Sequence, residues 1–510
     1  MRKSEKEKIM SVFDTLYEAH KVIRNYVNQN DFDNAIALMG ECQDTAVNLG
    51  NVISETESDD SPIIKDLENY CETLYETAQK FGGENTEINV RKTLDNSLSV
   101  AEKSAKDNLK VRLKIAFFPY KASMWTSFES IWQSAIESGK CDVRVVPIPY
   151  CEFDSDGTPK SWICEADQYP TYVPIIKYTD YDLETEKPDI AFIHNGYDNE
   201  NTLTSVHPDF YSTNIKKYCG MLVYSPYFTF GSYNPGKSDA FFLNQGSKAA
   251  NKIIVQSDFT AKIYKKYGYN SNKLIVHGSP KIDVVIKNCS DYDKEKQMPE
   301  EWRSKLQGKE KIFLLNTHWS YFLNGFNYKQ KGFFDFAQKY HDQFFNAIQN
   351  HKDKCGMIWR PHPLLISALE QRAPFLLDYV RDFIKIIEES DFGVVDKNGS
   401  YTDAMGCSDA LVSTYSSFIN EYLVTGKPVL IFQSRQPSEA RKRSPIDYGK
   451  CYFTFKKDNG ITFTQFIEMV LNGEDPMRDE RLSTLKEKSF NNMDGTAGKK
   501  IFDELLASFN

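Results

Sequence analysis

The chain has 510 residues, 26% of them charged, and a formal net charge of −9 at pH 7. That length allows roughly three domains of about 150 residues, and the acidic balance argues against a nucleic-acid binder, which needs a basic footprint. No apolar run approaches the roughly 20 residues of a membrane span. Ten cysteines without a Cys-x-x-Cys pair favour reduced thiols in a cytoplasmic protein over disulfides or a zinc site.

Residues 1–108 predict an all-helical N-terminal domain. Apolar residues recur there at helical spacing in four stripes, separated by polar breaks near residues 28–31, 55–62 and 82–86. The pattern is typical of a helical hairpin or small bundle. Because it contains no catalytic constellation, we expect an interaction or oligomerisation domain. Its few basic clusters favour a protein partner or a second copy over lipid, while peripheral contact with the inner membrane face stays open.

From Val111 onward, short apolar runs alternate with amphipathic segments. We predict strands at Leu113–Phe118, Asp142–Ile148, Pro188–His194, Met221–Tyr224, Lys252–Ser257 and Leu274–Val276. Strand–helix–strand with a short first loop is typical of a Rossmann-like domain, here residues 111–300. No G-x-G-x-x-G is present, so a dinucleotide fingerprint is absent. The polar segment 284–310 is typical of a linker.

The same pattern restarts in residues 310–475 as a second Rossmann-like domain. We predict strands at Lys311–Leu315, Gly356–Trp359, Ala410–Val412 and Val429–Phe432, and a helix over residues 332–350. Closing helices occupy residues 476–510. The predicted fold class is therefore α/β, with two tandem Rossmann-like domains in a GT-B-like arrangement after an all-helical domain. Ligands of such sheets bind beyond the carboxyl ends of the strands.

Three strand ends of the second α/β domain carry polar groups, in residues 316–320, 360–363 and 413–417. An arginine makes forked contacts with phosphate oxygens, and hydroxyls at a helix start accompany unpaired N–H groups that favour anions. This inventory suits a nucleotide diphosphate. The alternative, that Ser416 or Ser417 is only an N-cap, stays open.

Two further residues of this region invite a role. His362 could donate to a pyrophosphate or assist a leaving phosphate, and Glu421 could accept hydrogen bonds from a ribose or be solvated. The Asp-x-Asp pairs at 180–182 and 291–293 have no third ligand, so we expect no metal site.

In the first α/β domain, several polar residues fall just beyond predicted strand ends. They are His194, Asp198, His207, Tyr227 and His277. A structural role stays open for each one, and it is their coincidence at one sheet edge that suggests a site.

With these residues placed, the chain resembles the CDP-glycerol glycerophosphotransferase family, the teichoic acid polymerase and primase enzymes of GT-B architecture. The matching segments are residues 277–283 (G-x-P-R-x-D in the family), 316–319 (P-T-W-R), 360–363 (R-x-H-P), 413–417 (T-D-Y-S-S) and 494–497 (D-G-x-A). Each is weak alone, but five in order are fairly specific. The resemblance covers the C-terminal two-thirds of the chain.

The resemblance implies transfer of glycerol phosphate or ribitol phosphate from a CDP-alditol to a hydroxyl of a glycan or glycolipid precursor, with CMP leaving. It implies no cofactor beyond this donor and no metal. It places the donor in residues 310–475 and the acceptor against residues 111–300. It implies that Arg360, His362, Ser416 and Ser417 bind the donor phosphates, with His362 also a catalytic candidate. Further candidates for donor binding are Thr414, Glu421, His318, Asn316, His277 and Ser279.

One departure concerns the general base. The family's H-G-T-P-L-K motif should follow residues 221–224, but residues 225–231 read Ser-Pro-Tyr-Phe-Thr-Phe-Gly. The nearest replacements are His194 and His207. We favour His207, since an imidazole of near-neutral pKa suits proton abstraction, with Asp198 as base or orienting group. Two alternatives stay open: a glycosyltransferase that uses a nucleotide sugar, and a scaffold that has lost catalysis.

Overall fold

The computed structural model describes residues 3–56, 61–81, 89–154, 156–201, 203–231, 233, 235–236, 238–323, 334–432, 451–455 and 460–509. Four helices precede the first strand: α1 Lys3–Asn28, α2 Phe32–Thr56, α3 Pro62–Gln79 and α4 Val90–Asn108. Successive helices pack together and α1 also packs on α4, so their apolar stripes close around one core. The predicted helical N-terminal region is confirmed.

The first α/β domain is built on a six-stranded sheet in the order β2-β1-β4-β6-β7-β8. Its strands are β1 Leu113–Phe118, β2 Cys141–Val145, β3 Tyr150–Glu152, β4 Ile190–Ile193, β5 Thr204–Val206, β6 Met221–Tyr224, β7 Lys252–Ile254 and β8 Leu274–Ile275. Strands β1, β4, β6, β7 and β8 run parallel. Strands β3 and β5 pair antiparallel outside the sheet.

Short helices cover this first sheet. They are α5 Glu129–Glu137, α6 Leu183–Glu186, α7 Ser212–Tyr218, α8 Asp239–Phe242, α9 Gln245–Ala249 and α10 Asp258–Lys266. A 3₁₀ turn, Ala122–Ser127, lies between β1 and α5.

The second α/β domain holds a parallel six-stranded sheet in the order β11-β10-β9-β12-β13-β14. Its strands are β9 Lys311–Asn316, β10 Cys355–Trp359, β11 Gly393–Val395, β12 Ala410–Ser413, β13 Val429–Ile431 and β14 Phe453–Thr454. Alternate residues face opposite layers: Phe313 and Leu315 join one core, Ile312 and Leu314 the other. Both faces are buried, which explains why each strand is a continuous apolar run.

The helices of the second half complete these two layers. They are α11 Pro280–Cys289, α12 Lys294–Gln297, α13 Glu300–Leu306, α14 Trp319–Leu323, α15 Phe334–Gln349, α16 Leu365–Arg372, α17 Leu377–Glu389, α18 Thr402–Cys407, α19 Ser417–Leu423, α20 Phe463–Leu471, α21 Arg478–Thr484 and α22 Ala497–Ala507. Chain order reverses between β9 and β12 in the second sheet, and between β1 and β4 in the first. Ligands of doubly wound sheets bind at such reversals.

The prediction of a linker over residues 284–310 is wrong. Helices α11 to α13 fill most of this segment, and Met298, Trp302 and Leu306 are buried against one face of the second sheet. Trp302 and Leu306 are four residues apart on α13, which places them on one helical face, and Met298 precedes this helix. The charged residues between them hid this spacing.

The closing helix returns to the first α/β domain. Helix α22 packs on α5 and α11, and the buried Asp283 carboxylate accepts hydrogen bonds from the amides of Ala497 and Gly498 at 3.1 and 2.7 Å. Helix starts leave such amides unpaired, so Asp283 caps α22. Two of the segments that carry the resemblance, 277–283 and 494–497, therefore meet in space.

Two general properties concern the described residues only. No helix among them is long and apolar enough to cross a membrane. They also contain no group of three or more His, Cys, Asp or Glu side chains arranged to hold a metal ion. Asp182 and Asp293, from the two Asp-x-Asp pairs, instead cap the starts of α6 and α12.

Candidate functional site

The two α/β domains meet beside the carboxyl edge of the second sheet. Leu203, just before β5, packs against Leu364 and Ala368. At the same contact the ammonium of Lys160 lies 3.3 Å from the carboxylate of Glu370. These contacts hold the loop after β10 against the first domain, and the candidate residues below surround this junction.

Two histidines stand side by side at the ends of β9 and β10. The ring centroids of His318 and His362 are 4.7 Å apart, with planes inclined by 72°. Nδ1 of His362 accepts a hydrogen bond from the Leu364 amide at 3.0 Å, and Nδ1 of His318 accepts one from the Ser320 amide at 3.3 Å. A neutral ring held in this way carries its proton on Nε2. Within the described part of the chain, neither Nε2 has a hydrogen-bond partner.

Both rings are half-buried, and their partial desolvation by the surrounding protein favours the neutral form. Desolvation lowers the pKa of His318 to about 4. Desolvation also holds the pKa of His362 well below its usual range, with smaller contributions from the positive charges of His318, Lys121 and Arg360. The pair therefore presents two N–H donors that an anion can use without a change of protonation state.

Arg360, predicted on a donor phosphate, lies in a buried ion pair. Its Nη1 is 2.5 Å from the carboxylate of Asp396, and the side-chain exposures are 7% and 0%. The guanidinium also donates to the carbonyls of Asn398, Gly399 and Ser400. Arg360 thus fastens the loop after β11 beneath the histidine pair. Its contact with phosphate stays a prediction.

The hydroxyl loop after β12, Ser413–Ser417, is tied to the loop after β9. The Thr414 hydroxyl accepts a hydrogen bond from the His318 amide at 3.0 Å, and Ser413 donates to the carbonyl of Asn316 at 2.6 Å. Ser416 precedes α19 without capping it, and its buried hydroxyl has no partner among the described residues. An unsatisfied buried hydroxyl is costly, so the Ser416 hydroxyl is suited to a hydrogen bond with a polar ligand.

Glu421, predicted to bind ribose or to be solvated, is only 3% exposed. Its carboxylate lies 3.5 Å from the ammonium of Lys281 and 3.4 Å from the hydroxyl of Thr229. Lys281 in turn donates to Thr126 at 3.2 Å. Burial excludes the solvated alternative, and the ribose contact stays a prediction.

Sequence reasoning overlooked Lys121, which follows β1 at the reversal point of the first sheet. It is 4% exposed. Its ammonium donates to the Tyr150 hydroxyl at 2.9 Å and lies 4.0 Å from the centroid of that ring. The nearest carboxylate oxygen, on Glu165, is 3.7 Å away. A lysine directly after a buried strand was the available signal.

His194, a predicted base, is fully buried. Its Nε2 accepts a hydrogen bond from the Tyr120 amide at 2.8 Å, and its Nδ1 lies 3.0 Å from the hydroxyl of Ser127. Desolvation lowers its pKa to about 3. Both nitrogens are engaged, so this geometry gives His194 the task of holding the loop after β1, and its role as base has no support here.

Asp198 is committed in a similar way. Its carboxylate accepts hydrogen bonds from the amide and the hydroxyl of Ser212 at 2.6–3.1 Å, and Ser212 begins α7. Burial raises the pKa of Asp198 to about 6. The residue therefore caps a helix, and its proposed roles in proton transfer stay untested.

Two other predicted histidines lie nearer the surface. His207 follows β5, its ring packs on Trp162 at 4.7 Å, and its Nδ1 is 3.5 Å from the carboxylate of Asp209 and 3.3 Å from the Asp209 amide. His277 instead forms an ion pair of 2.9 Å with Glu504 on α22. His277 thus lies against the closing helix rather than beside the histidine pair.

Comparison with known proteins bears on this site. Residues 232–507 match the family described as CDP-Glycerol:Poly(glycerophosphate) glycerophosphotransferase. The match covers more than half of the chain. The chain belongs to this family. It is therefore a member of a transferase family, as the resemblance predicted from sequence.

Individual relatives of this glycerophosphotransferase family member are distant. A teichoic acid poly(ribitol-phosphate) polymerase of Bacillus spizizenii (strain ATCC 23059 / NRRL B-14472 / W23) is 22% identical over 258 residues, which are 50% of this chain and 37% of the relative. The chain thus matches little more than a third of that protein's length.

Two solved structures share the fold. The wall teichoic acid polymerase TagF is 12% identical, with a TM-score of 0.50 over 88% of this chain and 98% of that one. A UDP-N-acetylglucosamine 2-epimerase from Listeria monocytogenes is also 12% identical, with a TM-score of 0.50 over 78% of this chain and 97% of its own. The predicted α/β fold class is confirmed.

The loop after β6 departs from the histidine motif expected of the glycerophosphotransferase family. Phe228 and Phe230 of this loop line a pocket of about 420 Å³ at the ends of β6 to β8, together with Gln256 and the predicted site residue Ser279. Gln256 bonds both backbone groups of Phe230 at 2.6 and 2.9 Å. An aromatic wall thus stands where the family motif would supply an imidazole.

Proposed function

We propose that this chain transfers a phospho-alditol from a CDP-linked donor to a hydroxyl of a glycan or glycolipid precursor. The observation that carries the proposal is the pair formed by His318 and His362, at the reversal point of the second sheet. Membership of the glycerophosphotransferase family supports the reaction class. Neither observation specifies the alditol or the acceptor, and the experiment below is designed to identify them.

The reaction needs charge stabilisation more than covalent help from the protein. The acceptor oxygen attacks the phosphorus that bears the alditol and forms a new P–O bond. The bond from that phosphorus to the bridging oxygen breaks, and CMP leaves with this oxygen. The Nε2–H groups of His318 and His362 donate to phosphate oxygens as charge grows on them, which is most effective in a site that excludes water. Positioning of donor and acceptor supplies the rest.

We place the donor pyrophosphate at the hydroxyl loop. The orphaned hydroxyl of Ser416 and the neighbouring Ser417 begin α19, where amides without intrahelical partners favour an anion. Thr414 joins the loop after β12 to the loop after β9, and the Asn316 side chain donates to the Arg360 carbonyl and joins the ends of β9 and β10. Arg360, through its ion pair with Asp396, holds the loop after β11 next to the end of β10.

We propose His207 as the base that receives the acceptor's proton. Unlike His194, it keeps one ring nitrogen, Nε2, without a partner among the described residues. The amide of Asp209 donates to Nδ1 at 3.3 Å, which puts the proton of the neutral ring on Nε2. The acceptor's proton would therefore go to Nδ1 once this amide contact opens. His207→Gln should then remove turnover while donor binding stays.

The donor is identified by thermal denaturation of the full chain with CDP-glycerol, CDP-ribitol, CDP-choline, CDP, UDP and UDP-sugars. A ligand that binds the native state raises the Tm by mass action. A selective shift with a CDP-alditol, followed by CMP release on a glycan acceptor, supports the proposal. A preference for UDP-sugars would replace it with a glycosyltransferase.

A second candidate is nucleotide binding without transfer. It is favoured by the aromatic loop after β6, in residues 225–231, because this loop supplies no base. Tight CDP binding together with no CMP release on any acceptor tested would select this candidate.

For the helical domain we propose self-association or a protein partner. Its exposed apolar side chains include Val22, Ile36, Val47, Tyr75 and Val100, distributed over the four helices, and a second chain could cover some of them. Light scattering of the full chain, and of a variant with Val47→Lys and Tyr75→Lys, tests self-association. If both proteins are monomeric, self-association is ruled out and only the hypothesis of a protein partner remains.

A further inference from the structure

The ammonium of Lys121 is buried with too few acceptors. Among the described residues, the Tyr150 hydroxyl at 2.9 Å is its one hydrogen-bond partner, whereas an ammonium has three N–H donors. Glu165, 3.7 Å away, supplies a counter-charge beyond hydrogen-bond distance, and its two oxygens already accept from Tyr150 at 2.6 Å and from the Ala122 amide at 2.8 Å. Among the described residues the ammonium thus has N–H donors left over for the oxygens of an anion.

A short series of contacts brings Lys121 to the histidine pair. Its partner Tyr150 lies on β3 and pairs with Val206 of β5. The residue before β5, Leu203, packs on Leu364 of the second domain, and the amide of Leu364 holds the ring of His362. The positive charge of Lys121 is also one of those that depress the pKa of His362.

The loop that carries Lys121 is rigidly held. The amide of its neighbour Tyr120 donates to His194, whose other nitrogen meets Ser127, and the amide of Ala122 donates to Glu165. Backbone groups on both sides of Lys121 are therefore fixed, so its ammonium is placed before any ligand arrives.

We propose that Lys121 completes an anion site with His318 and His362, and that this site binds the phosphate being transferred. The inference rests on the proposed function and deepens it: one α/β domain supplies a cation and the other two neutral N–H donors to the same phosphoryl group. Lys121 forms no covalent bond. It offsets the negative charge that otherwise repels the lone pair of the acceptor oxygen.

The comparison of CDP with CMP isolates this phosphate, because CMP lacks it. Calorimetry on the wild-type chain should show CDP binding at least tenfold more tightly than CMP. In Lys121→Met this preference should fall to within about twofold, with CMP affinity unchanged. Lys121→Arg should restore part of it, because a guanidinium keeps the charge. Lys160→Met, at another contact between the domains, is the matched control and should keep the full preference.

The outcomes separate the inference from the proposed function. An unchanged CDP preference in Lys121→Met overturns the inference and leaves the proposed function standing, as does a wild-type chain that binds both nucleotides equally. A wild-type chain that binds neither nucleotide overturns both. Loss of the positive charge leaves the Glu165 carboxylate without its counter-charge, so a variant with a lowered Tm is replaced by the double variant Lys121→Met with Glu165→Gln.

Discussion

Lys281 and Glu421 form an ion pair of 3.5 Å in which neither side chain is more than 5% exposed. Lys281 comes from the 277–283 segment, and Glu421 lies on α19 behind the hydroxyl loop. The lysine also lies 5.0 Å from the ring centroid of Tyr401. The segment 277–283 thus places a cation behind the hydroxyl loop of residues 413–417. The ion pair links α11, which carries Lys281, to α19, which begins at the end of that loop.

Loss of either partner should therefore destabilise the chain. Lys281→Met leaves the carboxylate of Glu421 without its counter-charge, and breaking a buried pair costs about 3–5 kcal/mol. The double variant Lys281→Met with Glu421→Gln should recover most of this loss, because no buried charge remains. Urea unfolding of the three proteins measures it. Equal losses in the single and double variants would contradict the explanation.

Gly278 should tolerate no side chain. Its φ is +100°, and a Cβ there would lie 2.2 Å from the carbonyl oxygen of Asn491. Gly268 is the matched control: its φ is +88°, and a Cβ would meet nothing within 4 Å. We expect Gly268→Ala to cost about 1–2 kcal/mol from backbone strain alone, and Gly278→Ala about 1–3 kcal/mol more from overpacking. Similar Tm values for the two variants would rule out the steric argument.

His362→Ala should lower kcat about 100- to 1,000-fold, the usual effect of removing one donor to a developing oxyanion. The Tm should change little, because the ring packs at a half-buried position. His277→Ala is the control, since that histidine pairs with Glu504 on the closing helix. Turnover is measured with the donor found by thermal denaturation. If both variants lose activity alike, the histidine pair is not the site of transfer.

Acid should destabilise the second α/β domain through His341. The ring is fully buried between the hydroxyls of Thr317 and Tyr379, at 2.8 and 3.2 Å, and burial lowers its pKa to about 3. Below pH 6.5 the unfolded chain binds a proton at His341, whereas the native chain does not. Stability is therefore fully present above pH 6.5 and falls by about 1.4 kcal/mol per pH unit as the pH drops towards 3.

The variant His341→Gln removes this proton uptake. Between pH 7 and pH 5 the wild-type chain should lose about 2 kcal/mol more stability than the variant, by the same linkage. Urea midpoints at the two pH values measure the difference. A variant as acid-sensitive as the wild-type chain would mean that other groups dominate the titration.

Sequence reasoning found the second sheet because its strands are buried on both faces. The predicted strands Lys311–Leu315 and Ala410–Val412 are apolar apart from Lys311, and the structure extends each by one residue to β9 and β12. Strands of two or three residues, such as β11 and β14, carry too few side chains for a periodic signal. They exist because neighbouring strands offer them hydrogen bonds, which a local pattern does not record.

The candidate site was likewise predictable only in part from the sequence. Positions after strand ends were predictable from topology, and His318 with His362 came from that rule. The rule does not tell whether a polar side chain is already hydrogen-bonded within the protein. His194 and Asp198 lie after strand ends, but they accept hydrogen bonds from Tyr120 and Ser212. These partners are 74 and 14 residues away in the chain.

The chain passes between the two α/β domains twice, once through α11 to α13 and again before α22, where the Asn491 amide bonds the Gln256 carbonyl at 2.9 Å. A change in the angle between the two domains would bend the chain at both crossings and break the contacts of Leu203 with Leu364 and of Lys281 with Glu421. The two halves of the candidate site are therefore held at a fixed separation.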